Sequence, residues 1–285
     1  MKICDLGPLV SAMNLNDPLI TALHILGNIK GHYRIVVVNG GGKVHGLIIG
    51  RRLLEILLGR RGSSIRAKKG FESVLQEPVN LFMDESYQIF PENTDTETVI
   101  KYMVENSLGY VILVDQAGAY KGIIEESCIL SRLRGKRFGL RTRNIMSKNV
   151  RTIDPEATIR NAAQTMIDNM VRRLPVTLKS TIVGIVTASD IIRHIIRQEG
   201  KTGKLGLLDV ARILDEGVAN VMSQNVHSIQ PDSDAGEALD KMVNLDVSGL
   251  PVVSKEGQLF GIVSRVDFIK IAKLKGVSTI VEMMT

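Results

Sequence analysis

The chain reads as an α/β (α+β) protein built from four copies of one small unit, and three features of its 285 residues predict this. The first is a doubled corner, GIVTASD from Gly184 to Asp190 and GIVSRVD from Gly261 to Asp267. The second is a common offset. IMSKNVRTIDP, from Ile145 to Pro155, lies 76 residues before VMSQNVHSIQP, from Val221 to Pro231; the same step carries Met166 to Met242 and Leu174-Pro175-Val176 to Leu250-Pro251-Val252. One residue inserted in the following turn makes the step 77 at the corner. The third is a fainter echo in the first half, where Gly46-Leu47-Ile48-Ile49 and Gly122-Ile123-Ile124 again stand 76 apart. A unit with one apolar face has to stack on a neighbour to bury it, so four copies predict two pairs.

Within each unit the pattern predicts strand, amphipathic helix, strand, turn, strand, helix. The helix is clearest over Thr158 to Met170, where Ile159, Ala162, Ala163, Met166 and Met170 share one side. Strand-like runs follow at Ile35 to Val38 and Val111 to Val114. Turn formers fill Asn39 to Lys43, Asp115 to Ala119, Lys179 to Thr181 and Lys255 to Gln258. The corner closes each unit: a β-branched strand, Ile185-Val186 or Ile262-Val263, runs into a hydroxyl residue three positions before a carboxylate, and then into an apolar helix. The length suits two domains of roughly 140 residues, matching the pairs.

Composition excludes several classes of function. Hydrophobic residues make up 44% of the chain, enough for packed cores, but no apolar run reaches the roughly 18 residues that a membrane span needs. Met1-Lys2-Ile3-Cys4-Asp5 has neither the basic start nor the apolar stretch of a signal peptide, so a cytoplasmic protein with no membrane partner is expected. Cys4 and Cys128 have no metal-ligand spacing and read as buried thiols. His24, His32, His45, His194 and His227 are scattered, and no nucleophile stands with a base, so neither a metal ion nor a catalytic residue is expected. The net charge of +6 is uneven. Arg132, Arg134, Lys136, Arg137, Arg141 and Arg143 crowd the join between the halves, and Arg60, Arg61, Arg66, Lys68 and Lys69 follow the first unit. Both read as solvated linkers. A nucleic-acid site at the join is the second reading, weakened by an aromatic content of only 4%. Asn39-Gly40-Gly41-Gly42-Lys43 lacks the spacing of a phosphate loop and belongs to a hairpin turn.

Thr187 with Asp190, and Ser264 with Asp267, form capping boxes at helix starts. The same geometry suits a nucleotide, because a helix N-terminus offers N–H groups to phosphate and a carboxylate accepts from ribose hydroxyls. The unit order, the Leu-Pro-Val strand and the Gly-Ile-Val-(Thr/Ser)-x-x-Asp corner resemble the cystathionine β-synthase (CBS) domain, whose tandem pairs are called Bateman modules. The resemblance covers essentially the whole chain and is similar to the four-repeat arrangement of archaeal CBS proteins and the γ subunit of AMP-activated protein kinase. It implies a first pair at 1–135, with repeats at about 5–60 and 76–133, and a second at 141–285, with repeats at about 144–197 and 218–275. It also implies no catalytic cofactor but a bound adenosine ligand, one of AMP, ADP, ATP or S-adenosylmethionine.

Carried over residue by residue, the resemblance gives Asp190 and Asp267 the ribose, and Thr187 and Ser264 the phosphate, with Ser189 in the same corner. Thr152 and Ser228 fall where the base is reached, and Val171 and Val247 where adenine is packed, although core packing explains the valines equally well. Arg172 and Arg173, just before Leu174-Pro175-Val176, fall where an Arg or His side chain reaches phosphate. The fourth unit has Asp246, Val247, Ser248 and Gly249 before Pro251 instead, so His227 or Arg265 would have to compensate. In the first unit Gly50 and Leu53 are read in the places of hydroxyl and acid, and in the second Glu125 and Cys128. Arg51 and Arg52 could hold an anion there but read first as a charged helix start, and the first pair reads as structural or as binding something else. The expected function is a regulatory sensor of an adenosine ligand, signalling through a change of shape or partner. A homodimer through module faces and an unidentified protein partner are expected with it. The alternatives are a ligand-gated nucleic-acid-binding regulator, an S-adenosylmethionine-binding protein, and a slow nucleotide hydrolase.

Overall fold

The computed structural model describes residues 12–28, 34–202 and 210–284, so Cys4 and His32 lie outside the described residues. The first unit comprises β1 (Ala12–Asn14), α1 (Leu19–Asn28), β2 (Arg34–Val38), β3 (Val44–Ile49) and α2 (Gly50–Leu58). Two short helices, α3 (Ser63–Lys69) and α4 (Phe71–Gln76), lead to the second unit: β4 (Ile89–Pro91), α5 (Thr96–Glu105), β5 (Tyr110–Val114), β6 (Tyr120–Glu125) and α6 (Glu126–Arg132). After α7 (Thr142–Ile145) the third unit has α8 (Ile159–Asp168), β7 (Arg173–Leu178), β8 (Thr181–Thr187) and α9 (Ala188–Thr202). The fourth follows α10 (Val210–Leu214) with α11 (Ala235–Asn244), β9 (Gly249–Val253), β10 (Leu259–Ser264), α12 (Arg265–Lys275) and α13 (Val277–Met284).

The leading strand of the later units is shorter than the repeat suggests, for a covalent reason. In the first two units β1 and β4 lie parallel to β2 and β5, and the ladder continues through Leu15 N–H to Val38 O and Glu92 N–H to Val114 O. In the third and fourth it shrinks to single parallel bridges, Ile153 with Val176 and Ile229 with Val252. The next donors would be Pro155 and Pro231, which have no N–H.

All four hairpins are antiparallel and end in the same register, Arg34 opposite Ile49, Tyr110 opposite Glu125, Arg173 opposite Thr187 and Gly249 opposite Ser264. This corrects one alignment. The residues of the first unit that stand where Thr187 and Asp190 stand are Ile49 and Arg52, and the sequence reading of Gly50 and Leu53 is one position late. Leu53 faces the core, fully buried. The turns explain the inserted residue. Asn39, Asp115 and Ser254 each accept two backbone N–H groups of their own loop. The third hairpin instead turns on Lys179 and Ser180, at φ 48° and 69°, the tight two-residue form.

Sheets join units within a pair, and helices join the pairs. Lys43 bridges to Ala119 and Thr181 to Gln258. One large core gathers α1 and α2 of the first unit with α8 and α9 of the third; the other gathers α5 and α6 of the second with α11, α12 and α13 of the fourth. Gly27 permits the closest approach, since a Cβ there would stand 2.0 Å from Ile196 Cδ1 on α9.

Where the units meet lies a buried charge cluster. Arg34 Nη1 donates to Glu125 Oε1 at 2.5 Å and to Glu126 Oε2 at 3.3 Å, and Arg172 lies 3.8 Å from Glu126 Oε1. The Glu126 side chain is 4% exposed. Burial alone would push its carboxyl up, but Arg34 first, then Arg172 and more weakly Arg265, hold it below the usual carboxylate range. Such a depressed carboxylate adds stability that is complete above the ordinary glutamate range, near pH 4.3, and is lost as pH falls through its lowered folded value. Glu126→Gln in the full chain should therefore unfold about 2 kcal/mol more easily at pH 7, by taking from Arg34 one of its two carboxylate partners and from Arg172 the carboxylate beside it. Denaturant melts against pH should show the two proteins converging in acid; a constant gap would contradict the assignment.

Candidate functional site

The two full corners fold alike. Asp190 Oδ2 accepts from Thr187 N–H at 2.8 Å and from its hydroxyl at 2.6 Å, and Thr187 Oγ1 accepts from Asp190 N–H at 3.2 Å. Asp267 Oδ2 accepts from Ser264 N–H and Oγ, both at 2.8 Å. The other carboxylate oxygen of each acid meets a cation one turn on, Arg193 at 2.5 Å and Lys270 at 2.6 Å. The capping box is thus real in both copies.

The third-unit corner opens into a large cleft. Its volume is about 710 Å³, inside the usual range for small-molecule sites. Of the residues singled out from sequence, Arg172, Arg173, Thr187, Ser189, Asp190, His227, Val247, Ser248 and Gly249 line it. Ile185, Val221 and Met222 give it an apolar wall, and Asn220, Ser223 and Asn225 a polar edge. Five arginines, Arg51, Arg172, Arg173, Arg193 and Arg197, face two aspartates, Asp190 and Asp246. Arg51 is from the first pair, so the cleft is walled by both halves of the chain.

The remaining sequence candidates lie elsewhere. Val171 packs on the first core, its N–H returning to Met166 O after the left-handed Met170, as Val247 N–H returns to Met242 O after Asp246. Pro175 and Pro251 are buried in their strands, where their carbonyls accept from Ile153 and Ile229. Thr152 is exposed, and Ser228 O accepts from Lys241 Nζ at 2.7 Å. Ser264, Arg265 and Asp267 form the fourth-unit corner. There Arg265 stands where the third unit has Ala188, and it is nearly buried, donating to Asp246 Oδ1 at 3.2 Å.

Sequence reasoning passed over Arg193, Arg197, His194 and Met222. Arg193 and Arg197 sit three and seven residues after Asp190 on the same helix, which helical spacing could have placed on one face. Met222 presses on Gly184, where a Cβ would come 2.6 Å from its Sδ; Met146 repeats the contact on Gly261 and Met83 on Gly46. The repeated Met-Ser of the 76-residue offset has this packing role. Arg51, weighed from sequence as an anion holder at its own corner, lines the third-unit cleft instead, because α2 packs beside α9.

The first pair closes its corners with ion pairs. Arg52 donates to Asp84 at 2.6 and 3.0 Å, and Arg61 reaches the same carboxylate at 3.0 Å. Glu125, in the place of Thr187, accepts from Arg34. Much of the basic join finds acids in the fourth unit: Arg137 pairs with Asp240, and Arg141 and Arg143 with Asp232. Cys128 is half-buried rather than buried, because α6 leaves it at the edge of the second core, and burial raises its thiol pKa. Among the described residues no cluster of His, Cys, Asp or Glu could hold a metal ion, and no helix is long and apolar enough to cross a membrane.

Comparison with known proteins agrees with this architecture. Protein MJ1225 of Methanocaldococcus jannaschii is 25% identical over 248 residues, 85% of this chain and 88% of its own. A 33.4 kDa protein encoded in a ribosomal RNA operon of Thermofilum pendens is 24% identical over 255 residues, 88% of this chain and 84% of its own. The crystal structure of MJ1225, a protein proposed to be an archaeal homolog of g-AMPK, superposes with a TM-score of 0.84 at 22% identity, over 95% of this chain and 99% of that one. The CBS-domain family model matches residues 79–135, 143–197 and 218–273, the second, third and fourth units. The first unit shares their element order but carries Ile49 and Arg52 at its corner. With more than half of its length matched, the chain belongs to the CBS-domain family.

Proposed function

We propose that this protein is a regulatory sensor that takes an adenosine ligand in the third-unit cleft, with the chain divided into a structural pair at 1–135 and a ligand-binding pair at 141–285. The observation that carries the reading is the Thr187–Asp190 corner at the wall of a cleft of about 710 Å³ that is apolar at one side and rich in arginine at the other. An adenosine phosphate has that division of chemistry: a flat base for Ile185, Val221, Met222 and Val247, a ribose diol for Asp190, and phosphate for the arginines. The family membership supports a regulatory role. Binding draws together groups from units three and four, which gives the ligand leverage over how these units sit.

Titration calorimetry and thermal melts of the full chain with AMP, ADP, ATP and S-adenosylmethionine test this. At 100 times its dissociation constant, a ligand of the folded state should add about 2.7 kcal/mol of stability. If no member of the panel raises Tm, the reading is wrong, and steady release of product from ATP would make the protein an enzyme instead.

Asp190→Asn separates capping from binding. The substitution should cost at most about 1 kcal/mol of stability, the usual scale of a cap and its dipole term. Affinity should fall by more than that loss, because the charge that accepts from the ribose is gone; equal affinity would mean that Asp190 is only a cap.

A further inference from the structure

The arrangement of cations around the cleft points to a narrower ligand class. We infer that the third-unit cleft selects an adenosine polyphosphate over the monophosphate and over cationic S-adenosylmethionine, because Arg51 of the first pair and Arg197 of α9 extend its anion-binding wall beyond the corner. This rests on the adenosine reading above and asks how many phosphates the site is built to hold.

The cations fall into two sets. Arg172, Arg173 and Arg193 are tied to the protein: Arg172 lies near Glu126, Arg173 Nη2 donates to Ser248 Oγ at 2.5 Å, and Arg193 holds Asp190. Arg51 and Arg197 have no hydrogen-bond or ion-pair partner among the described residues, yet both line the cleft. Their positions follow from packing. Gly50 begins α2 against α9, where its Cβ would sit 3.6 Å from Ile192 Cδ1, so the next residue, Arg51, is placed beside the helix that carries Arg193 and Arg197. Arg193 and Arg197 are four residues apart, about 6 Å along the axis. One phosphate at the corner satisfies the tied set. Further phosphates continue along α9 toward Arg197 and Arg51, where each gains charge-assisted hydrogen bonds from a cation that has no other partner among the described residues.

The same wall works against a sulfonium. Five arginines against Asp190 and Asp246 leave an excess of positive charge that repels a cationic ligand. The polyphosphate is also a bridge, since Arg51 belongs to one pair and Arg197 to the other. Its binding therefore draws the two pairs together at the cleft.

The test is calorimetric titration of the full chain with AMP, ADP, ATP and S-adenosylmethionine, without divalent cations and at two salt concentrations, for wild type, Arg51→Gln, Arg197→Gln and Asp190→Asn. Wild type should bind ATP and ADP about tenfold or more tighter than AMP, with a steeper salt dependence. Each arginine variant should lose about tenfold for ATP and less than about twofold for AMP. AMP binding as tightly as ATP, or arginine variants that weaken both equally, would overturn this inference while Asp190→Asn still tests the adenosine reading. Tight S-adenosylmethionine binding would overturn it as well, and silence from all four compounds would remove both.

Discussion

A charged side chain removed from water has to be answered by charge, and in this protein that requirement falls on Glu126, at the junction of the units. Its carboxylate is held by Arg34 of the first unit and Arg172 of the third, with Arg265 of the fourth adding to the field. Removing a carboxylate from water costs several kcal/mol, and the arginines offset this only where their geometry is kept. The two pairs are therefore fixed to each other by direction as well as by apolar area. Each large core combines helices from both pairs, so either half alone would expose the helix faces that the other half covers.

The same device appears twice with opposite results. Arg34 and Arg173 occupy equivalent strand positions, and each sends its guanidinium across to the second unit of its own pair. Both crossings need a missing side chain. A Cβ on Gly109 would stand 2.9 Å from Arg34 Nη2, and one on Gly249 only 1.7 Å from Arg173 Nη1. In the first pair the crossing arginine meets Glu125 and Glu126, and its charge is answered within the protein. In the second pair it donates to Ser248 and passes over Gly249 at the wall of the cleft. A closed corner and an open one differ here by which residues face a crossing arginine.

Much of this was legible in the sequence, and the limits are physical. The element order follows from period and turn chemistry, which are local. The Thr187–Asp190 and Ser264–Asp267 corners follow from hydroxyl-to-acid spacing, which helix geometry dictates. The first-unit corner was misplaced by one residue because Ile49 and Arg52 carry no hydroxyl or acid to mark the register, which only the pairing of Arg34 with Ile49 settles. Arg51 could not be assigned to the cleft from sequence, since its approach depends on how α2 lies along α9, a contact over more than a hundred residues of chain. The sequence set the fourth unit apart by the residues before Pro251, but not by the corner itself, where Ala188 leaves room in one copy and Arg265 fills the corresponding place in the other.

Arg172 joins the two parts of this account. It lines the cleft and is also 3.8 Å from Glu126, a distance at which the pair still attracts but no hydrogen bond is made. Arg34 holds Glu126 more closely, at 3.3 Å. An anion bound in the proposed site would compete with Glu126 for Arg172, and Arg34 would still hold the carboxylate. The carboxylate at the junction thus tolerates the loss of one partner without being left unanswered. A ligand at the third-unit corner can in this way change the field at the second-unit corner without touching it, through one arginine that both share.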